Sequence, residues 1–284
     1  MRKLAAVVVA AFALMTAAHA IEEGRLTLVV GFASGGTSST AARIIADSVG
    51  QIAGTTPMVE NKPGAGGALA ADFVRSQREG NALLFMSSTS TLNVPPGSDL
   101  LPIGIVARFT YVAAARKDAP ASLAEYMSAA RTDNRLLTIA TAGAGSIAHL
   151  AGVKMFSDHG MTALHVPFRG SAPAILAVAG GHVSLAVVPF PDFLPFVDKL
   201  RIIAETGSGL DSDGWMAVYA PPGTTPEQAT RLSDLFRQAS EKSIDRLETI
   251  GFRQAWLNPA QLRAMHRLDH EQWAPRAKML DIQL

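Results

Sequence analysis

The sequence predicts an α/β protein of two domains with a ligand cleft between them. Three observations predict it. Short apolar runs alternate with stretches of helical spacing, so strands and helices follow one another in βα order. Two small-residue, glycine-rich loops each lie between a strand and a helix, which is where open α/β sheets bind ligands. No low-complexity linker separates the halves, so the chain would pass between them on ordered strands, as in a hinged protein.

The first element is a targeting segment. Arg2 and Lys3 precede an apolar run from Leu4 to Met15, and Ala18-His19-Ala20 places small residues at −3 and −1. That order marks a secretory signal peptide over residues 1–20. The run is too short for a spanning helix, which needs about 20 apolar residues. The exported chain is expected to begin near Ile21. Loss of Arg2 and Lys3 takes the formal net charge from +1 to about −1. With no long basic stretch remaining, nucleic acid and anionic membrane surfaces are poor partners. Cysteine is absent, which excludes disulfides, thiolate metal sites and a lipid-modified cysteine.

The remaining elements follow in order. Leu26 to Phe32 reads as a buried strand, Ala33 to Ser39 as a loop, and Thr40 to Ile52 as a helix with Ala41, Ile44, Ile45, Val49 and Ile52 on one face. Pro57 to Glu60 is extended, Asn61 to Gly67 a turn, Ala68 to Gln77 a helix and Leu83 to Met86 a strand. The second region starts after Ala107 with a strand at Tyr111 to Ala115. Ser122, with Glu125 three residues on, starts a helix. Strands at Leu136 to Thr141, Leu164 to Pro167, Val183 to Val188 and Leu200 to Glu205 alternate with helices at Ile147 to Ser157 and Ala172 to Ala179. Trp215 to Ala220 is a strand. Thr225 then caps a helix with Pro226 at its first position, and the remainder is helical with a break near Asn258-Pro259. Crossings between domains are placed near Val106–Ala115 and Trp215–Ala220. They divide the exported chain into 21–107 plus 218–284 and 108–217.

The two loops are suited to anions. Phe32-Ala33-Ser34-Gly35-Gly36-Thr37-Ser38-Ser39 lets main-chain N–H groups approach a ligand without an intervening side chain. The first N–H groups of the next helix lack intrahelical partners, and the helix dipole adds positive character there. A carboxylate or phosphate fits such a terminus; a plain βα turn with Ser or Thr caps explains the same residues. Thr141-Ala142-Gly143-Ala144-Gly145-Ser146 is a second loop of this kind, and Ser87-Ser88-Thr89-Ser90 could line the same cleft.

Competing chemistries are weak. Gly35-Gly36-Thr37 lacks the Gly-Lys-Ser/Thr of a phosphate loop, and no GxSxG elbow is present. Ser146 and His149 lie three apart, but a capping serine above a structural histidine explains them better than a nucleophile and base. His266 and His270 are four apart and read as a solvated helix face, with Asp269 and Glu271 as surface charge. Phe190, Phe193 and Phe196 read as core or cleft wall. No catalytic residue, metal or cofactor is expected.

At these loops the chain resembles the Bug (TctC-like) receptors, the extracytoplasmic solute receptors of tripartite tricarboxylate transporters. Val59 to Gly67 is similar to the family's "vENrPGAGG", and Phe32 to Gly36 with Arg43 to "pFpaGGstDvvAR". Thr141 to Leu150 is similar to "saGnGSsqHL", His165 to Pro173 to "HVPYKGgaPA", Gly180 to Val183 to "GGqVd", and Ala220 to Pro226 to "APaGTP". The resemblance implies a two-domain periplasmic-binding-protein (venus flytrap) fold. It implies a monomer in the periplasm that closes on a small carboxylate and delivers it to a membrane permease. By position, the implied ligand contacts are Phe32, Ser34, Gly35, Gly36, Thr37, Ser87, Thr141, Ala142, Gly145 and Ser146.

The chain departs from the family pattern in places. Ser39 replaces the acid of "GGstD", Ser184 replaces the aspartate of "GGqVd", and Val188 stands where "mfDn" has an aspartate. Arg169 replaces a lysine, and the segments after Thr91 and Thr206 are shortened. With no acid at Val188, the expected solute is an organic acid without an ammonium group, because an unpaired buried charge is costly. A receptor serving a sensor kinase and an exported hydrolase using Ser146 and His149 are the alternative readings.

Overall fold

The computed structural model describes residues 26–77, 81–206, 209–210 and 213–279. The signal peptide expected over residues 1–20 and the start near Ile21 lie outside the described residues. No helix among the described residues is long and apolar enough to cross a membrane.

The chain forms β1 (Thr27–Val30), α1 (Thr37–Ala53), β2 (Met58–Asn61), α2 (Ala68–Ser76), β3 (Ala82–Ser87) and β4 (Leu101–Arg116). Then come α3 (Leu123–Ala130), β5 (Thr138–Thr141), α4 (Ile147–Ser157), β6 (Leu164–Pro167), α5 (Ser171–Ala179), β7 (Leu185–Pro189) and α6 (Phe190–Phe193). The last elements are β8 (Leu200–Thr206), β9 (Gly209–Leu210), β10 (Asp213–Ala220), α7 (Pro226–Lys242), α8 (Ile244–Glu248) and α9 (Pro259–Met279). The strands run β2-β1-β3-β10-β4-β7-β5-β6, with β8 also on β4 and β9 on β8.

Within each half the βα order gives parallel pairs: β1 with β2 and β3, and β5 with β6 and β7. The halves are joined by antiparallel strands. Leu101 to Thr110 of β4 pair with β10, whereas Tyr111 to Arg116 pair with β7 and β8. All of β10 pairs with β4 within Leu101–Thr110, and part of it with β3.

Period-two alternation assigns side chains to two faces. Leu28 and Val30 join a core that runs through both halves by way of Phe109, Tyr111, Ile139 and Phe156. Val29 faces a second core with Val74, Trp215 and Leu262. Val112 and Ala114 face a third with Ile175, Val178 and Phe193. Phe193 is thus core, and Phe190 and Phe196 pack against it.

Thr225 caps α7 reciprocally with Gln228, and Pro226 occupies its first turn. Two sequence expectations on α9 need correction. His266 is buried, not on a solvated face. Its Nε2–H donates to the Val94 carbonyl at 2.9 Å, so Nδ1 accepts from the Tyr219 hydroxyl at 2.8 Å. Asp269 is not free surface charge, since it accepts the Trp215 indole N–H at 2.7 Å. Burial raises its pKa to about 6.

Candidate ligand-binding cleft

The loop after β1 is held from behind. A Cβ at Gly31 would lie 2.7 Å from the Gly67 Cα, so the two backbones meet directly. Gly67 has φ +100°, a conformation that disfavours other residues. Asn61 Nδ2 donates to the Phe32 carbonyl at 2.8 Å, and Ser39 Oγ donates to Asn61 Oδ1 at 3.3 Å. The Asn61–Gly67 motif therefore braces the first loop.

This brace presents the start of α1 to the other half of the molecule. The N-cap is Gly36, which offers no side-chain acceptor. The Thr37 N–H donates instead to Asp192 Oδ1 of α6 at 2.8 Å. The Ala33 N–H donates to the Arg169 carbonyl, beyond β6, at 3.2 Å. Asp192 is buried, and burial raises its pKa to about 6, tempered by the hydroxyls of Thr37 and Ser171. Neither hydroxyl completes a bond to Asp192 Oδ2, and that atom and Thr37 Oγ1 are buried without hydrogen-bond partners.

The loop after β5 is bonded to itself. Ser146 Oγ donates to the Gly143 carbonyl at 2.8 Å and caps α4 by accepting the His149 N–H at 3.2 Å. The Gly145 N–H donates to His149 Nδ1 at 3.2 Å. Thr141 Oγ1 is hydrogen-bonded to His165 Nε2 at 2.7 Å. The two imidazoles stack with centroids 3.5 Å apart. Burial lowers the pKa of His149 to about 4; burial and then the charge of His149 lower that of His165 to about 3. Ser146 Oγ already donates to a carbonyl, and His149 Nδ1 faces Gly145, so these two side chains do not form a nucleophile–base pair.

Between the halves is a hollow of about 10 Å³. Of the residues expected at the ligand, Phe32, Gly36, Thr37 and Ala142 line it. Gly35, with Thr37, lines an adjoining chamber of about 350 Å³. Ser34 is exposed on the loop. Thr141, Gly145 and Ser146 are held in the internal bonds just described, and Ser87 Oγ donates to Thr89 Oγ1 at 3.0 Å. Thr89, from the loop expected to line the cleft, also lines the hollow; sequence reasoning missed Gly170, Ser171 and Asp192, which line it as well. Gly170 and Ser171 belong to a motif already noted. The signal for Asp192 was an acid beside proline just after a strand.

The two-lobed α/β fold is that of the periplasmic solute-binding proteins on which it superposes. The fold of this chain superposes on an R. palustris protein determined with adipate at a TM-score of 0.85 and 25% identity, over 92% of this chain and 98% of that one. It superposes on the periplasmic binding protein BugD at 0.83 and 26% identity, over 91% and 98%. The family model of TctC, the tripartite tricarboxylate transporter family receptors, matches residues 41–204, more than half of the chain. The chain belongs to this family. Among relatives, the Bordetella pertussis protein BugT is 24% identical over 283 residues, 88% of this chain and 87% of its own length. A Cupriavidus necator UPF0065 protein is 28% identical over 244 residues, 76% and 74% of the two chains.

Proposed function

We propose that this chain is a non-enzymatic periplasmic receptor that captures a small organic acid and presents it to the membrane permease of a tripartite transporter. One observation carries the reading: the α1 N-terminus holds a carboxylate, that of Asp192, across the lobe boundary at 2.8 Å. A solute carboxylate is chemically equivalent to that group. Hydrogen bonds to a charged group contribute about 1.5–3 kcal/mol each. The relative determined with adipate and the family itself support an acid as solute.

In this reading residues 1–20 are removed on export and the receptor acts as a monomer. The lobes are 21–107 plus 218–284 and 108–217. The hinge lies at the first crossing between them, where β4 changes partners at Thr110–Tyr111. Phe32, Gly36, Thr37 and Ala142 are the foremost of the proposed contacts, because they line the interlobe hollow.

A thermal-shift screen of the exported chain against organic acids tests this, since a ligand that binds only the folded state raises Tm by mass action. At least one acid is expected to raise Tm in a saturable way. A flat response to a broad acid panel would overturn the reading.

A further inference from the structure

The chamber of about 350 Å³ shares Thr37, Ala172 and Asp192 with the inner hollow. Its size falls within the range of small-molecule sites. Leu176, Leu194, Phe196, Ile250 and Phe252 make its wall largely apolar. Asp192 is the one titratable residue among those that line it. Thr37 is 5% exposed and Asp192 7%. Thr37 Oγ1 and Asp192 Oδ2 are the two buried polar atoms without partners at this end.

We propose, building on the receptor reading, that the solute is a monocarboxylic acid with an apolar body. Its carboxyl group meets Asp192 Oδ2 and Thr37 Oγ1 over one shared proton, and its body fills the chamber. The proton comes from water, and no covalent bond to carbon forms or breaks. An ionised acid arriving beside Asp192 cannot share the site with a second negative charge, so one carboxyl of the pair keeps a proton. Burial already moves Asp192 toward that state, with a pKa of about 6.

The surroundings favour an acid of this kind. The 17-residue helix α1 starts at Thr37, and its positive dipole end disfavours a cationic head. A second carboxylate on the body would meet no cation within the chamber. Thr37 and Thr40 face it from α1, Ala172 and Leu176 from α5, and none of these is charged. The flanking charges Arg169, Asp198, Glu248 and Arg253 are exposed, and Arg253 is paired with Asp213 at 3.0 Å.

Isothermal titration of the exported chain with hexanoate, phenylacetate, adipate, malate and phenethylamine tests the proposal. Hexanoate or phenylacetate is expected to bind at least about tenfold more tightly than malate or adipate. Its affinity should fall about tenfold per pH unit above about pH 6, with uptake of one proton. Asp192→Asn keeps a donor but cannot titrate, so it should retain binding and lose the pH slope. Tighter binding of adipate or malate would overturn the chamber assignment and leave the receptor reading intact. Phenethylamine binding that strengthens with rising pH would overturn the shared proton. Failure of every acid would overturn the receptor reading as well.

Discussion

The two glycine-rich loops look alike in sequence and differ in what their donors do. The loop after β1 ends on Gly36, which has no side chain to cap α1. Its donors therefore reach across to Asp192 and the Arg169 carbonyl. The loop after β5 ends on Ser146, which caps α4, while His149 takes the Gly145 N–H. One residue at the N-cap separates a terminus that takes its acceptor from across the lobe boundary from one that is completed within its own loop. A helix start binds a ligand only where its own sequence declines to satisfy it.

The largest effect should come from breaking the closed loop. His149→Ala removes a stacked, buried ring and leaves the Gly145 N–H without its acceptor. A loss of about 3 kcal/mol is expected in urea unfolding. A loss below about 1 kcal/mol would mean that the loop finds other acceptors.

The loops should also respond oppositely to pH. The folded-state pKa of His149 is lowered, to about 4. Its contribution to stability is present above its unfolded value of 6.5 and is lost as pH falls toward 4. The folded-state pKa of Asp192 is raised, from 3.8 to about 6. Its contribution is present below 3.8 and is lost as pH rises through 6. Across these windows the stability gap between wild type and His149→Ala should narrow with acid by about 3 kcal/mol. Asp192→Asn should gain on wild type as pH rises. Unfolding midpoints measured over pH check both signs, and parallel curves would sink the contrast.

Smaller changes sharpen the comparison. Ser146→Ala should cost about 1 kcal/mol as a lost cap and change acid affinity by less than about twofold, since its hydroxyl is engaged internally. Gly36→Ser should do the reverse. A Cβ at Gly36 meets only ordinary contacts, the nearest at 3.8 Å. The new hydroxyl should add a few tenths of a kcal/mol while competing for the α1 donors and weakening acid binding in a titration.

Most strands and helices were legible because their periodicity and caps agree; Ile147–Ser157 and Leu164–Pro167 match the sequence reading end to end. The first part of β4 was not. Pro102 and Gly104 interrupt its β pattern, yet Gly104 is required there, because a Cβ would lie 2.3 Å from the Trp256 ring. Loop chemistry pointed to the α1 terminus, whose Thr37 N–H the structure sets against Asp192 of α6. It could not rank the two loops, since the fate of each N–H depends on residues far away in sequence. Asp192 escaped for the same reason: its partner Thr37 is 155 positions distant.

β4 is continuous across both halves, and this gives the molecule a lever. From Leu101 to Thr110, at roughly 3.3 Å per residue, it makes a stiff arm of about 30 Å. A rotation of about 5° at Thr110–Tyr111 would move the tip of such an arm by about 2–3 Å. On the proposed hinge, a contact made or broken at Asp192 would register as displacement at the Leu101 end of this arm.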